Sequence, residues 1–167
     1  MASAFGHAAV AWALGSSFKS KIINWKFWFI GVVCSIIPDA DVIGFKFDIA
    51  YGSFWGHRGF THSFVFAALL GLFCAYVFYS KTLSKLERLS LFVYFTLCAA
   101  SHSILDAMTS GGKGVAFLSP FDNTRYFFPI TPIEVSPIGL KNFLTSRGLD
   151  VIWSELWLLW LPSFILM

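Results

Sequence analysis

Five apolar runs, residues 2–18, 22–37, 59–79, 89–108 and 151–167, occupy most of the chain and dictate its surroundings. A water-soluble domain of comparable size is roughly 45–50% apolar and 25% charged. This chain of 167 residues is 57% hydrophobic and 13% charged, with 20 Phe and 7 Trp. That balance excludes soluble globular, disordered and nucleic-acid-binding proteins. It describes an integral membrane protein whose length suits one compact membrane domain, residues 1–167. A straight crossing of ~30 Å of hydrocarbon takes about 20 residues. The third and fourth runs reach that comfortably; the other three are short and must thin the bilayer or end beneath its surface. The expected architecture is all-α, a polytopic bundle of four or five short transmembrane helices.

The connections between runs set the orientation. Residues 19–26 and 80–88 carry six Lys and Arg in 17 positions, whereas residues 45–58 and 109–148 carry six in 54. Short loops dense in Lys and Arg stay in the cytoplasm. The N-terminus and the two longer connections therefore face outward. The segment 109–148 holds prolines at 120, 129, 132 and 137 and glycines at 111, 112 and 114, so it cannot be helical throughout. A long extracytoplasmic loop of this kind reads as a lid or pocket wall. The start, MASAFGHAAVAWALG, lacks the basic region of a cleavable signal peptide. Cys34, Cys74 and Cys98 are odd in number and sit in apolar sequence, as unpaired thiols packed like small hydrophobes do.

The ionisable residues are few and badly placed for a plain membrane anchor. His7, His57, His62 and His102, all the histidines of the chain, lie within or beside apolar runs, as do Asp39, Asp41 and Asp106. Such groups at membrane depth are costly and point to function. The alternating directions of the helices bring all seven to the outer face. The orientation came from Lys and Arg alone, so this convergence is an independent observation.

The spacing makes chemical sense. His102 and Asp106 are four residues apart, on one helical face, and imidazole with carboxylate in that arrangement chelates zinc, manganese or iron. Asp39 and Asp41 follow Pro38; in an extended turn both would point the same way, one ligating a metal and the other orienting a histidine from behind. His62 falls where it completes the ligand set, and His57 suits proton transfer or substrate contact. Blander roles stand beside these: Asp39 as a cap on the turn that ends the second helix, Asp106 as a partner of Arg58, Arg58 as a snorkelling contact to lipid headgroups.

Gly6-His7, Ile37-Pro38-Asp39-Ala40-Asp41, GHRGFTHS at 56–63, and Ser101-His102 with Asp106 together resemble the LexA-regulated inner-membrane metal-dependent hydrolase family, over roughly residues 5–130. The stretch SPFDNTRYFFPITPIEVSPIGLKNFL resembles the loop that follows the family's fourth helix. More distantly, the order of His, Asp, His and His-x-x-x-Asp is similar to zinc-dependent phospholipase C and related single-strand nucleases, helical enzymes that cleave phosphodiesters. That likeness implies one metal site of Asp41, His62, His102 and Asp106, and a second in which His7 joins a metal bridged by Asp106. The further His and Glu ligands of the bacterial phospholipase have no counterpart beyond Glu134, the one acid placed to substitute.

The function expected from sequence is a metal-dependent hydrolase of the bacterial inner membrane, with its site on the extracytoplasmic side. One or two divalent ions, zinc by preference, would act on a phospholipid or an isoprenoid-linked phosphate. Asp39 or His57 would serve as acid or base, and Arg58 and Arg125 would grip phosphate. The alternative is a metal-ion transporter or a non-catalytic metal-binding protein. A metalloprotease of the His-Glu-x-x-His type is disfavoured because no Glu neighbours any His.

Overall fold

A computed structural model describes residues 1–18, 21–79 and 82–167. Five principal helices run in chain order: α1 (Ala4–Ser16), α2 (Trp25–Ile36), α3 (Phe64–Val77), α4 (Lys85–Ala107) and α5 (Ser146–Leu166). Each of the first four begins on a side-chain cap. Ser3, Asn24 and Ser63 accept from backbone amides of the first turns of α1, α2 and α3, and Ser84 forms a reciprocal capping box with Glu87 on α4. Among the described residues there is no strand; residues 109–139 hold only the isolated bridges Thr109–Ile133 and Val115–Tyr126.

The spans are distributed differently from the apolar runs. Among the described residues, three stretches are long and apolar enough to cross a membrane: Trp25–Phe47, Lys85–Ala107 and Ser146–Leu166. The second run reaches this length because the chain does not stop at Pro38. It tightens into 3₁₀ winding over Ile37–Phe47, a geometry with i→i+3 bonding that the proline tolerates near its start. The fifth run gains length from Ser146 onward and widens to a π turn at Leu156–Trp160. The third shrinks, since Gly56–His62 is held in tight turns and α3 begins only at Phe64.

The long helix α4 is the central element, with Leu91, Tyr94, Phe95, Cys98 and Ala99 buried along it. Close approach comes from small residues, as is usual where hydrocarbon removes the hydrophobic drive between helices. The Tyr94 ring lodges where Gly15 of α1 and Gly31 of α2 leave room for it. Its hydroxyl donates to the Ala11 carbonyl, and its face stacks on Phe27 with centroids 4.0 Å apart. Outward-facing Trp12, Phe29, Leu69, Phe73 and Trp157 are more than half exposed, as a hydrocarbon environment permits.

The segment after α4 folds back over one end of the bundle. Phe128 donates to the Ala107 carbonyl, Ser110 to Ile133, and Ala116 to Arg58. Arg125 donates to the carbonyls of His57, Tyr51 and Ser53, tying this segment to the connection before α3.

Candidate metal centre

At that end of the bundle the structure brings together His7, Asp39, Asp41, His57, Arg58, His62, His102 and Asp106. His102 and Asp106 project from one face of α4, as their spacing requires, with His102 Nε2 3.9 Å from Asp106 Oδ2. His62 arrives on the short turn Phe60–His62, where Gly56 and Gly59 pack so close to the carbonyls of residues 50, 51 and 54 that a Cβ would collide with backbone. Asp39 arrives on the 3₁₀ segment.

Four donor atoms converge: Asp39 Oδ1, His62 Nε2, His102 Nε2 and Asp106 Oδ2, all within 4.8 Å of one another. The two Nε2 atoms are 3.1 Å apart. Asp39 Oδ1 lies 3.6 Å from His62 and 3.4 Å from His102, and Asp106 Oδ2 lies 3.5 Å from His62. Four ligands at zinc distances in a tetrahedron sit about 3.3 Å from each other. The protein has built the edges of such a figure.

The tautomers sharpen the point. His102 Nδ1 is 2.7 Å from the Ser35 carbonyl, which can only accept, so Nδ1 carries the hydrogen. His62 Nδ1 lies 3.2 Å from Asp41 Oδ2 and 3.1 Å from Thr61 Oγ1, and Thr61 itself donates to Asp41. In neutral imidazoles both Nε2 lone pairs then face each other, which repels unless a cation or proton lies between them. Neither Asp39 Oδ1 nor Asp106 Oδ2 has a hydrogen-bond partner, although Arg58 Nε lies 3.1 Å from Asp106 Oδ2 as an ion pair. Buried polar atoms without partners are rare and demand a reason. Against the carboxylates of Asp39, Asp41 and Asp106 stand the Arg58 guanidinium and the Met1 ammonium, 3.9 Å from Asp106 Oδ1, one positive charge fewer than the three carboxylates carry. The donor set and its charge fit a divalent ion.

Asp39 and Asp41 occupy the reverse of the positions that the phospholipase likeness implies. Residues two apart in 3₁₀ winding diverge by about 120°, unlike the extended turn expected from Pro38. Asp39 therefore joins the convergent donors, and Asp41 sits behind them. Asp41 accepts from His57 Nδ1 at 2.6 Å, from Thr61 Oγ1 at 2.7 Å and from the Arg58 amide at 3.2 Å. This is how a carboxylate supports and orients ligating histidines. Asp41, His57 and His62 form a second group close enough to hold an ion.

His7 stands beside the four donors. Its ring stacks on His102 with centroids 3.9 Å apart, and its Nε2 is 3.5 Å from Asp106 Oδ1, which also accepts from the Ala2 amide. Neither His7 nitrogen has a hydrogen-bond partner. Arg58 is fully buried in a left-handed backbone conformation (φ 63°), and its NH groups donate to Gly111 and Thr109. The pairing of Asp106 with Arg58 is thus realised, and the guanidinium is engaged by the protein instead of open to a phosphate. Arg125 is engaged likewise. Burial lifts the Tyr51 phenol above its ordinary range against the opposing pull of Arg58, so Tyr51 keeps its proton near neutrality. Glu134 is exposed, accepts from Ser110, and stands apart from the cluster.

Glu155 was passed over in the sequence. It is fully buried on α5 and accepts from both the amide and the hydroxyl of Ser3, the cap of α1. It meets the same test as the histidines, an ionisable group inside an apolar run.

The family model for the YdjM inner membrane protein matches residues 1–167. The chain is 42% identical over 167 residues to the inner membrane protein YbcI of Escherichia coli (strain K12), covering all of this chain and 95% of that protein. No solved structure matches. With helices long and apolar enough to cross a bilayer, this is a protein of the inner membrane and a member of the YdjM inner membrane protein family.

Proposed function

We propose that the protein is a metal-dependent hydrolase that cleaves a phosphoester of a membrane lipid, a phospholipid or an isoprenoid-linked phosphate, at the outer leaflet. The observation that carries this reading is the set of four convergent, buried donor atoms with both imidazole tautomers fixed from behind. Asp39, His62, His102 and Asp106 would hold one ion, zinc by donor chemistry; His7, beside Asp106 Oδ1, is placed for a second. A divalent ion there supplies Lewis-acid polarisation of a phosphoryl oxygen and a water acidified toward neutrality. His57 is the acid–base group: Asp41 takes its Nδ1 hydrogen, which leaves Nε2 as the nitrogen that accepts and returns a proton. Arg58 holds Asp106 in place and balances its charge.

Protein purified in detergent is expected to carry about one or two equivalents of a divalent metal and to release headgroup from phosphatidylethanolamine or phosphatidylglycerol vesicles. A chelator should stop the release and zinc should restore it. Folded protein that takes up no metal under any loading condition overturns the reading. Asp41→Ala is expected to weaken metal affinity by about 10–100-fold without abolishing it, the usual cost of losing a group that orients ligands. Chelator competition measures this, and unchanged affinity removes Asp41 from that role.

The transport alternative needs donor groups along the depth of the bilayer. Among the described residues, the buried His, Asp, Glu and Arg side chains gather at the end of the bundle where α1 begins, and the buried donors along its depth are the thiols of Cys34, Cys74 and Cys98. Metal uptake by reconstituted vesicles would reverse this preference.

A further inference from the structure

The convergent donors are closed to water. His62, His102 and Asp106 have no exposed surface, and of the four only Asp39 keeps any, its side chain being 10% exposed. That edge borders an apolar hollow of about 430 Å³ walled by Val33, Ile36, Ile37, Asp39 and Ala40. Val33 and Ile37 also border a second hollow of about 300 Å³ between α2 and α3, lined by Phe29, Leu70, Phe73 and Cys74 and reaching Lys26 and Phe78. The two share a wall and form one furrow on the lipid-facing side of the bundle. The buried thiols of Cys34 and Cys74, 3.6 Å apart, lie at its base.

We propose that this furrow is the tail-binding groove and lateral access route of the enzyme. It takes one acyl chain of a glycerophospholipid from the surrounding bilayer and so brings that lipid's headgroup linkage to the Asp39 edge of the donor cluster. The inference rests on the hydrolase reading and narrows its substrate to a lipid with chains of leaflet length. From Lys26 to Asp39 the furrow runs ~20 Å at about 1.5 Å per residue, against ~15 Å for the hydrocarbon of one leaflet. A polyisoprenoid chain outruns it. Between its ends the lining offers an acyl chain no charged group to satisfy; Lys26 stands at one end and the Asp39 carboxylate at the other. Selection comes from shape, because burial against protein replaces burial against lipid with no hydrophobic gain. A substrate arriving this way never leaves the membrane, which accounts for donors sealed from water by the segment 109–139.

The test uses the full-length chain in phosphatidylethanolamine and phosphatidylglycerol vesicles containing a trace of phosphatidylglycerol with a photoactivatable diazirine in one acyl chain. After illumination, labelled residues are mapped by mass spectrometry, and metal content and headgroup release are measured on the same preparations. Labelling is expected at Phe29, Leu70 and Phe73 severalfold above the open lipid face at Trp12, Leu69 and Trp157. Leu70→Trp, which fills the furrow midway, should lower furrow labelling to the level of that open face. It should also depress headgroup release severalfold and leave metal content unchanged. Val33→Trp at the partly exposed rim serves if Leu70→Trp does not fold. Even labelling over the lipid face, or wild-type release by a metal-loaded variant with a filled furrow, overturns the groove and leaves the hydrolase standing. Furrow labelling in a protein that binds no metal and releases no headgroup separates the two the other way: the tail groove holds, and the hydrolase falls with the substrate role drawn from it.

Discussion

His102→Ala is expected to strip the protein of its metal and of headgroup release while the helix bundle still assembles. His102 contributes Nε2 to the donor set, is held by Ser35 through Nδ1, and stacks on His7. Removing a residue that only orients a ligand costs about 10–100-fold in affinity; removing a ligand itself should cost more, enough to leave no stoichiometric metal after purification. Alanine is the best helix former, so α4 keeps its backbone. The folding penalty is confined to the orphaned Ser35 carbonyl and a small void, about 1–3 kcal/mol. Elemental analysis of wild type and variant from one detergent preparation reads the result directly. A variant that folds and retains a full equivalent of metal shows that the ion, if any, is held elsewhere, with the group of Asp41, His57 and His62 as the next place to look.

The second large effect falls on stability. Arg58→Ala removes the largest fully buried side chain among the described residues and takes from Asp106 its guanidinium partner, leaving the Met1 ammonium 3.9 Å away. Deleting one partner of a buried ion pair costs about 3–5 kcal/mol, because the remaining charge stays buried and unbalanced. Two further hydrogen bonds, to Thr109 and Gly111, go with it. The left-handed backbone at this position gives a control: Arg58→Gly relaxes that conformation, worth about 1 kcal/mol, and should recover only that part. Thermal unfolding in detergent, metal-free, is the measurement. Zinc is expected to restore part of the loss by supplying positive charge to the same carboxylate. Wild-type stability in both variants would show that Asp106 is not balanced by Arg58.

Much of the centre was legible in the sequence, and for a definite reason. A helical repeat fixes which residues share a face, so His102 and Asp106 could be paired from their spacing alone. Scarcity of charge made the remaining histidines and aspartates stand out against an apolar background. The division of labour between Asp39 and Asp41 was not legible, because it depends on whether the backbone after Pro38 is extended or wound. A proline permits both; only the packing of α2 against its neighbours decides. Arg58 could be read as a headgroup contact as easily as a partner of Asp106, since the two are 48 positions apart and their meeting is a matter of tertiary structure. Glu155 stands in an apolar run as the histidines do, but its partner Ser3 is 152 positions away and no spacing along the sequence links the two. The shortness of α3 followed from glycine-dependent turns that apolar composition does not register.

The bond between Ser3 and Glu155 has a consequence for biogenesis. The first helix leaves the ribosome long before the last is translated, so the amide and hydroxyl of Ser3 must wait, hydrated at the membrane surface, for an acceptor made near the end of synthesis. Until α5 is inserted, the start of α1 is held through Ala2 to Asp106 and Ser136 to Met1, and its Ser3 cap lacks an acceptor. A nascent chain halted before residue 155 therefore has every donor of the centre but not the bond that closes α5 against α1. The last helix to be made thus completes the cap of the first.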